Sequence, residues 1–192
     1  MPSDPIPRYC PGRDLPPYSY VPGLFPHPMS DERGHSYGRH EPPAQPLDEA
    51  TCRTNETYGY ALDLFNHGFY WEAHETWEAL WHAAGRRGPT ADFLKGLIKL
   101  AAAGVKAREG RAAGVRQHAL RGAELLAGVL ASEAAKDDGS FGLNLRDLRR
   151  AAIEIAQRAD ELAGDGNPLA DRRLLIVLRF IRKAGARLPD GP

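Results

Sequence analysis

Residues Trp71 to His82 hold three indoles, two imidazoles and three carboxylates, a density of chemistry-bearing groups found nowhere else in the chain. His74 and Glu78 stand four residues apart, so on a helix they are neighbours that can hydrogen-bond or hold one cation between them. Histidine and glutamate bordering tryptophan lose hydration, and desolvation shifts their proton affinities. The stripe could therefore bind a ligand, or do acid–base work with His74 oriented by Glu75 or Glu78. A purely structural use competes with both. His74 and Glu78 would then lock one helix to its neighbours through satisfied hydrogen bonds.

For either use the residues must share a face. At about 100° per residue, Trp71, His74, Glu75, Glu78, Trp81 and His82 fall on one side of a helix. Tyr70, Ala73, Trp77, Leu80 and Ala84 make an adjoining apolar sector, and Glu72, Thr76, Ala79 and Ala83 lie opposite. The spacing predicts that Trp71, His74, Glu78 and Trp81 turn inward together while the opposite four meet solvent. A divalent metal held by His74 and Glu78 is a secondary option. His-Glu-x-x-Glu lacks the second histidine of the zinc-protease motif, and no Glu-x-x-His pair stands on another helix. No cofactor is read from the sequence.

Two further groups of residues bear on this stripe. His118 lies among apolar residues of a later helix, where a lone histidine is ordinarily a satisfied core residue, and it matters only if it faces His74. His27 and His35, with Tyr37, belong to a turn-rich segment expected to fold over the His74/Glu78 stripe and close a pocket. The alternative is an extended arm lying along the surface or across a partner subunit. The binding candidates are thus Trp71, His74, Glu75, Glu78, Trp81, His118, His27 and His35.

Helices must position these groups. Beyond residue 47 the pattern is helical, with predicted segments at about 48–67, 69–84, 89–109, 112–135 and from 144 through Leu162. A last helix is opened by Asn167 and Pro168, a good cap and first-position pair. It would run through the dense apolar stretch Leu174 to Ile181, either at the centre of the bundle or at an oligomer interface. Gly68, Gly85 and Gly110 punctuate the first three segments. The DDGSFG segment reads as a turn, and no alternating strand pattern is evident. Gly96, Ala103 and Ala107 predict a close helix approach, with the second helix as partner, and Lys95, Lys99 and Lys106 read as a solvated stripe. The expected fold is all-α: a compact antiparallel bundle of about five to six helices over residues 48–188, with a Pro-rich irregular arm at 1–47.

The arm carries twelve of the sixteen prolines, which excludes helix and central strand there. Its five Tyr and Phe residues argue for docking on the helical body rather than disorder. The formal net charge is zero, so a general nucleic-acid footprint is absent. No apolar run is long enough to span a bilayer. No signal peptide is evident, and Cys10 and Cys52 read as free thiols, which together lead us to expect a cytoplasmic protein.

The run Phe65-Asn66-x-Gly68-x-Tyr70-x-Glu72-Ala73-His74-Glu75-x-x-Glu78-x-x-Trp81 resembles the signature of the domain-of-unknown-function 309 family. Phe93-Leu94-x-Gly96-Leu97-Ile98-x-Leu100-Ala101-Ala102 resembles that family's second block. Lys95 and Lys99 stand where the family often has glutamine, and Gly110-Arg111 where it often has Gly-Asn. The resemblance covers about residues 55–130. It implies a compact all-α fold and no reaction. The function expected from all of this is a non-catalytic module binding a small ligand or a protein, with homo-oligomerisation left open. The alternative is a small enzyme, a metal-dependent hydrolase among the options, using His74 with Glu75 or Glu78.

Overall fold

A computed structural model describes residues 5–132, 139–164 and 175–181. Among these the chain forms six helices and one short hairpin: α1 (Glu56–Asn66), α2 (Tyr70–Ala83), α3 (Pro89–Arg108), α4 (Ala112–Ala131), β1 (Gly139–Ser140), β2 (Leu143–Asn144), α5 (Leu145–Gln157) and α6 (Ala159–Ala163). Each helix from α1 to α5 packs chiefly on its sequence neighbours, and α6 returns against α4 and α3. The fold is the compact all-α bundle expected. Its core is continuous, with Trp77, Tyr58, Tyr70, Phe65 and Phe93 all fully enclosed.

Local chemistry sets the element ends. The Asn55 side chain accepts the Tyr58 amide at 2.9 Å and opens α1. It does so seven residues after the start expected near Asp48. Asp48 instead accepts the Thr51 amide and hydroxyl, and Thr51 O takes the Thr54 and Asn55 amides. These side-chain bonds offer the backbone a turn in place of a helix. Gly68, at φ 82°, reverses the chain after α1, a conformation that costs a Cβ-bearing residue about 1 kcal/mol or more. It lets Phe69 N reach Leu64 O at 2.8 Å, so α2 starts at once. Asn144 caps α5 through the Asp147 amide at 3.0 Å.

Four other expectations are corrected. The expected DDGSFG turn is present at Phe141–Gly142, but it joins two short strands where none was expected, with Gly139 paired to Asn144 and Ser140 to Leu143. The fifth helix is broken at Arg158 into α5 and α6. Residues 175–181, expected to be helical, are irregular. Their main-chain groups are taken by partners outside the segment. Leu175 N donates to Tyr70 Oη, Leu178 exchanges two bonds with the Asn66 amide, and Ile181 N donates to Gly142 O. The start signal at Asn167–Pro168 lies outside the described residues. Finally, Gly96 lies against Leu126 and the Gly122 carbonyl, so the helix that approaches it is α4 rather than α2. It is Gly104 that admits α2. A Cβ there would meet the Tyr70 ring at 2.3 Å.

The arm is irregular and follows the bundle. Fully buried Asp63 receives the Tyr9 amide at 2.7 Å, the Cys10 amide at 2.8 Å and the Arg8 guanidinium at 3.2 Å. Further on, the Tyr20 amide donates to Glu72 Oε1 at 2.8 Å and the Ser19 hydroxyl to Gly68 O at 3.0 Å.

Candidate functional site

The α2 stripe is one helical face, but the tertiary structure divides it. The fully buried indole is Trp77, from the apolar sector. Trp71 is half-buried under the arm, in a trio of rings with Tyr20 and His27 whose centroids are 5.0 to 5.2 Å apart. Trp81 is half-buried at the other end, with Lys95 Nζ 5.4 Å from its ring centroid. Trp71, His74, Glu78 and Trp81 therefore do not turn into the core together.

Between the indoles lies an accessible cluster. His74 Nδ1 is 3.2 Å from Glu75 Oε1 and 4.0 Å from Glu78 Oε2. The side chains of His74, Glu75 and Glu78 are 28%, 48% and 40% exposed, so all three meet solvent while staying in reach of one another. One ligating atom from each lies within 4.8 Å of the others. Neither carboxylate contact uses His74 Nε2. Imidazole nitrogen with carboxylate oxygen suits a first-row divalent cation, although all three groups come from one stretch of one helix.

His118 of α4 belongs to the same neighbourhood. Burial pushes its imidazole below its usual range, and the positive charges of Lys99, Lys106 and His74 act in the same direction against Glu109. His118 is therefore biased toward the neutral imidazole, which keeps a lone pair for a proton or a ligand. The lysine stripe is partly spent within the fold. Lys106 Nζ pairs with Glu109 at 2.7 Å, and Lys95 lies over Trp81. The face thus draws on three helices: α2 supplies the donors, α3 the cations and α4 the second imidazole.

His27 and His35 do not fold over the His74/Glu78 stripe. Both lie over the first turn of α2 instead. His27 Nδ1 accepts the Met29 and Ser30 amides at 3.2 Å while its ring abuts Trp71. His35 Nε2 meets Glu72 Oε1 at 3.2 Å, with both side chains under a tenth exposed. Glu72, expected on the solvent face, is buried because the arm covers it. Burial raises its carboxyl above the usual range, opposed by the Tyr20 amide and His35. Of the other residues expected on that face, Ala79 is exposed and Thr76 and Ala83 are half-buried.

The sequence reading missed four polar groups that organise this region: Asp63, Asn66, Tyr70 and Glu72. Each binds the main chain of an irregular segment. A signal existed, because Asp63 and Asn66 interrupt the apolar run of Leu62, Leu64 and Phe65, and Glu72 follows three aromatics. A polar residue within such a run is either a turn or a buried group with a partner.

Residues 58–118 match the model of a family described as Domain of unknown function (DUF309), which supports the resemblance seen in the motifs. The matched segment contains most of α1, all of α2 and α3, and His118. No curated protein and no solved structure gives a match. Among the described residues no helix is long and apolar enough to cross a membrane.

Proposed function

We propose that this chain is a non-catalytic binding module that takes a small ligand on the His74–Glu75–Glu78 stretch of α2, bordered by Trp81 and His118. One observation carries the reading. Three ligating groups converge within 4.8 Å on an accessible face, whereas the buried carboxylates Asp63 and Glu72 are engaged by the arm. Two carboxylates and an imidazole favour a cationic ligand, a divalent metal ion or an ammonium group. The free thiols of Cys10 and Cys52 agree with a reducing compartment such as the cytoplasm.

Titration calorimetry of the purified chain against Zn²⁺, Mn²⁺ and a panel of small amines tests this. The expected result is saturable binding by the wild type that is lost in both His74→Ala and Glu78→Gln. Equal binding by all three proteins would overturn the reading.

A second reading rests on the contact between His74 Nδ1 and Glu75. A carboxylate on Nδ1 orients the ring and leaves Nε2 to take or give a proton. That reading makes the chain a small hydrolase, with or without a metal. It expects turnover of an ester or phosphoester panel by the wild type, and none by a His74→Ala variant of unchanged melting temperature.

A further inference from the structure

The arm is built in two different ways. Residues 8–14 are fixed from outside, by Asp63 and by the Tyr60 hydroxyl donating to Asp14 O. Residues 18–37 are largely held by themselves. The Tyr18 hydroxyl donates to Pro26 O and accepts the His35 amide, and its ring stacks on Phe25 at 5.1 Å. His27 Nδ1 accepts two amides of the following turn, Gly34 N donates to Asp31 O, and Ser36 N donates to Pro28 O. Gly34 lies so close to the His27 carbonyl that a Cβ there would meet it at 2.3 Å. This is a compact loop with its own small core.

Few bonds tie that loop to the helices. They are the Ser19 hydroxyl to Gly68 O, the Tyr20 amide and the His35 ring to Glu72 Oε1, and the ring trio with Trp71. Both hydrogen bonds to Glu72 use the same oxygen. Its Oε2 is buried without a hydrogen-bond partner among the described residues. A buried carboxylate with one unsatisfied oxygen offsets part of what the other oxygen gains.

We infer that residues 18–37 form a preassembled strap that lifts from α2 as one body, with the Glu72–His35 pair as its catch. Opening needs no loss of the loop's own bonds; among the described residues the hydrogen bonds and ring contacts it breaks are those to Gly68, Glu72 and Trp71. The exposed residues 38–43, with Pro42 and Pro43, and the Pro16–Pro17 step flank the strap and give it two ends on which to turn. Lifting it uncovers an indole and a carboxylate beside His74, so the state of the strap sets how much of α2 is reachable. That last consequence rests on the binding reading above, but the strap itself does not.

Among the described residues, His35 from the strap is the ionisable side chain that bonds Glu72, and His27 faces the adjacent Trp71.

Hydrogen exchange of the full chain, resolved by residue and corrected for intrinsic rates, tests the inference. Glu72→Ala should speed Tyr20 exchange by about tenfold or more while Gly34 and Ser36 keep their protection, and Glu72→Gln, which keeps an acceptor oxygen for the Tyr20 amide, should speed it less. Tyr20, Gly34 and Ser36 accelerating together would overturn the one-body strap. A Tyr20 rate unaltered in both variants would overturn the catch.

Discussion

Two carboxylates on neighbouring helices have opposite fates. Asp63 in α1 is fully buried and receives two amides and a guanidinium from the arm. Glu78 in α2 is 40% exposed, and its nearest ionic partner is His74 at 4.0 Å. The difference lies in what covers them. An irregular arm exposes amides that need acceptors, and a buried carboxylate supplies them at a desolvation cost that three bonds repay. Among the described residues no such segment lies over Glu78, so that carboxylate keeps its water. Of these two carboxylates, the buried one holds chain and the accessible one does not.

The largest expected effect is at Asp63. Asp63→Ala leaves the Tyr9 and Cys10 amides without acceptors and should cost on the order of 3 kcal/mol. A lowered urea midpoint and rapid proteolysis of residues 5–15 should report it. A stability within 0.5 kcal/mol of wild type, roughly the level of an ordinary surface change, would erase the contrast with Glu78.

Next comes the buried side of α2. Gly104→Ala places a methyl against the Tyr70 ring, and thermal unfolding should show a loss of about 1–3 kcal/mol. An unchanged melting temperature would mean that α2 and α3 separate more easily than their packing suggests, and that the α2 stripe is not rigidly placed.

The third test uses pH to set the two regions against each other. The His118 imidazole is lowered in the folded chain, so its neutral form is favoured. That contribution is present above the usual value of 6.5 and is lost as pH falls through the lower folded value. Glu72 is raised, so its contribution is present below the usual 4.5 and is lost as pH rises through the folded value. His118→Gln should therefore flatten the acid side of the stability profile below pH 6.5, and Glu72→Gln should flatten the loss on going up from pH 4.5. Chemical denaturation across pH 4–8 separates them. Identical profiles for the two variants would mean that the regions are not electrostatically distinct.

The smallest effect is expected on the open face. His74→Ala and Glu78→Gln should each change stability by less than about 0.5 kcal/mol in the absence of ligand. A loss of 2 kcal/mol or more, the scale of a broken buried network, would move this cluster into the same class as Asp63 and favour the structural use of His74 and Glu78.

Much of the fold was legible in the residues. Apolar spacing, Gly68, Gly85, Gly110 and the Pro89 start placed α2 and α3 to within a residue or two. The shared face of His74, Glu75 and Glu78 followed from helical geometry alone. Two things were not legible, for one reason. The irregular course of residues 175–181 and the burial of Glu72 both depend on partners distant in sequence: Asn66 and Tyr70 for the first, Tyr20 and His35 for the second.

The sequence by itself determined that this chain folds as an all-α bundle and that one helix carries imidazoles and carboxylates on a single face. Periodicity and capping are properties of neighbours along the chain. Only the tertiary structure decided which of those groups are spent and which are free. That outcome depends on where the proline-rich arm and the 175–181 segment find acceptors for their amides, and a main-chain amide has no side-chain signature by which a sequence could announce its partner.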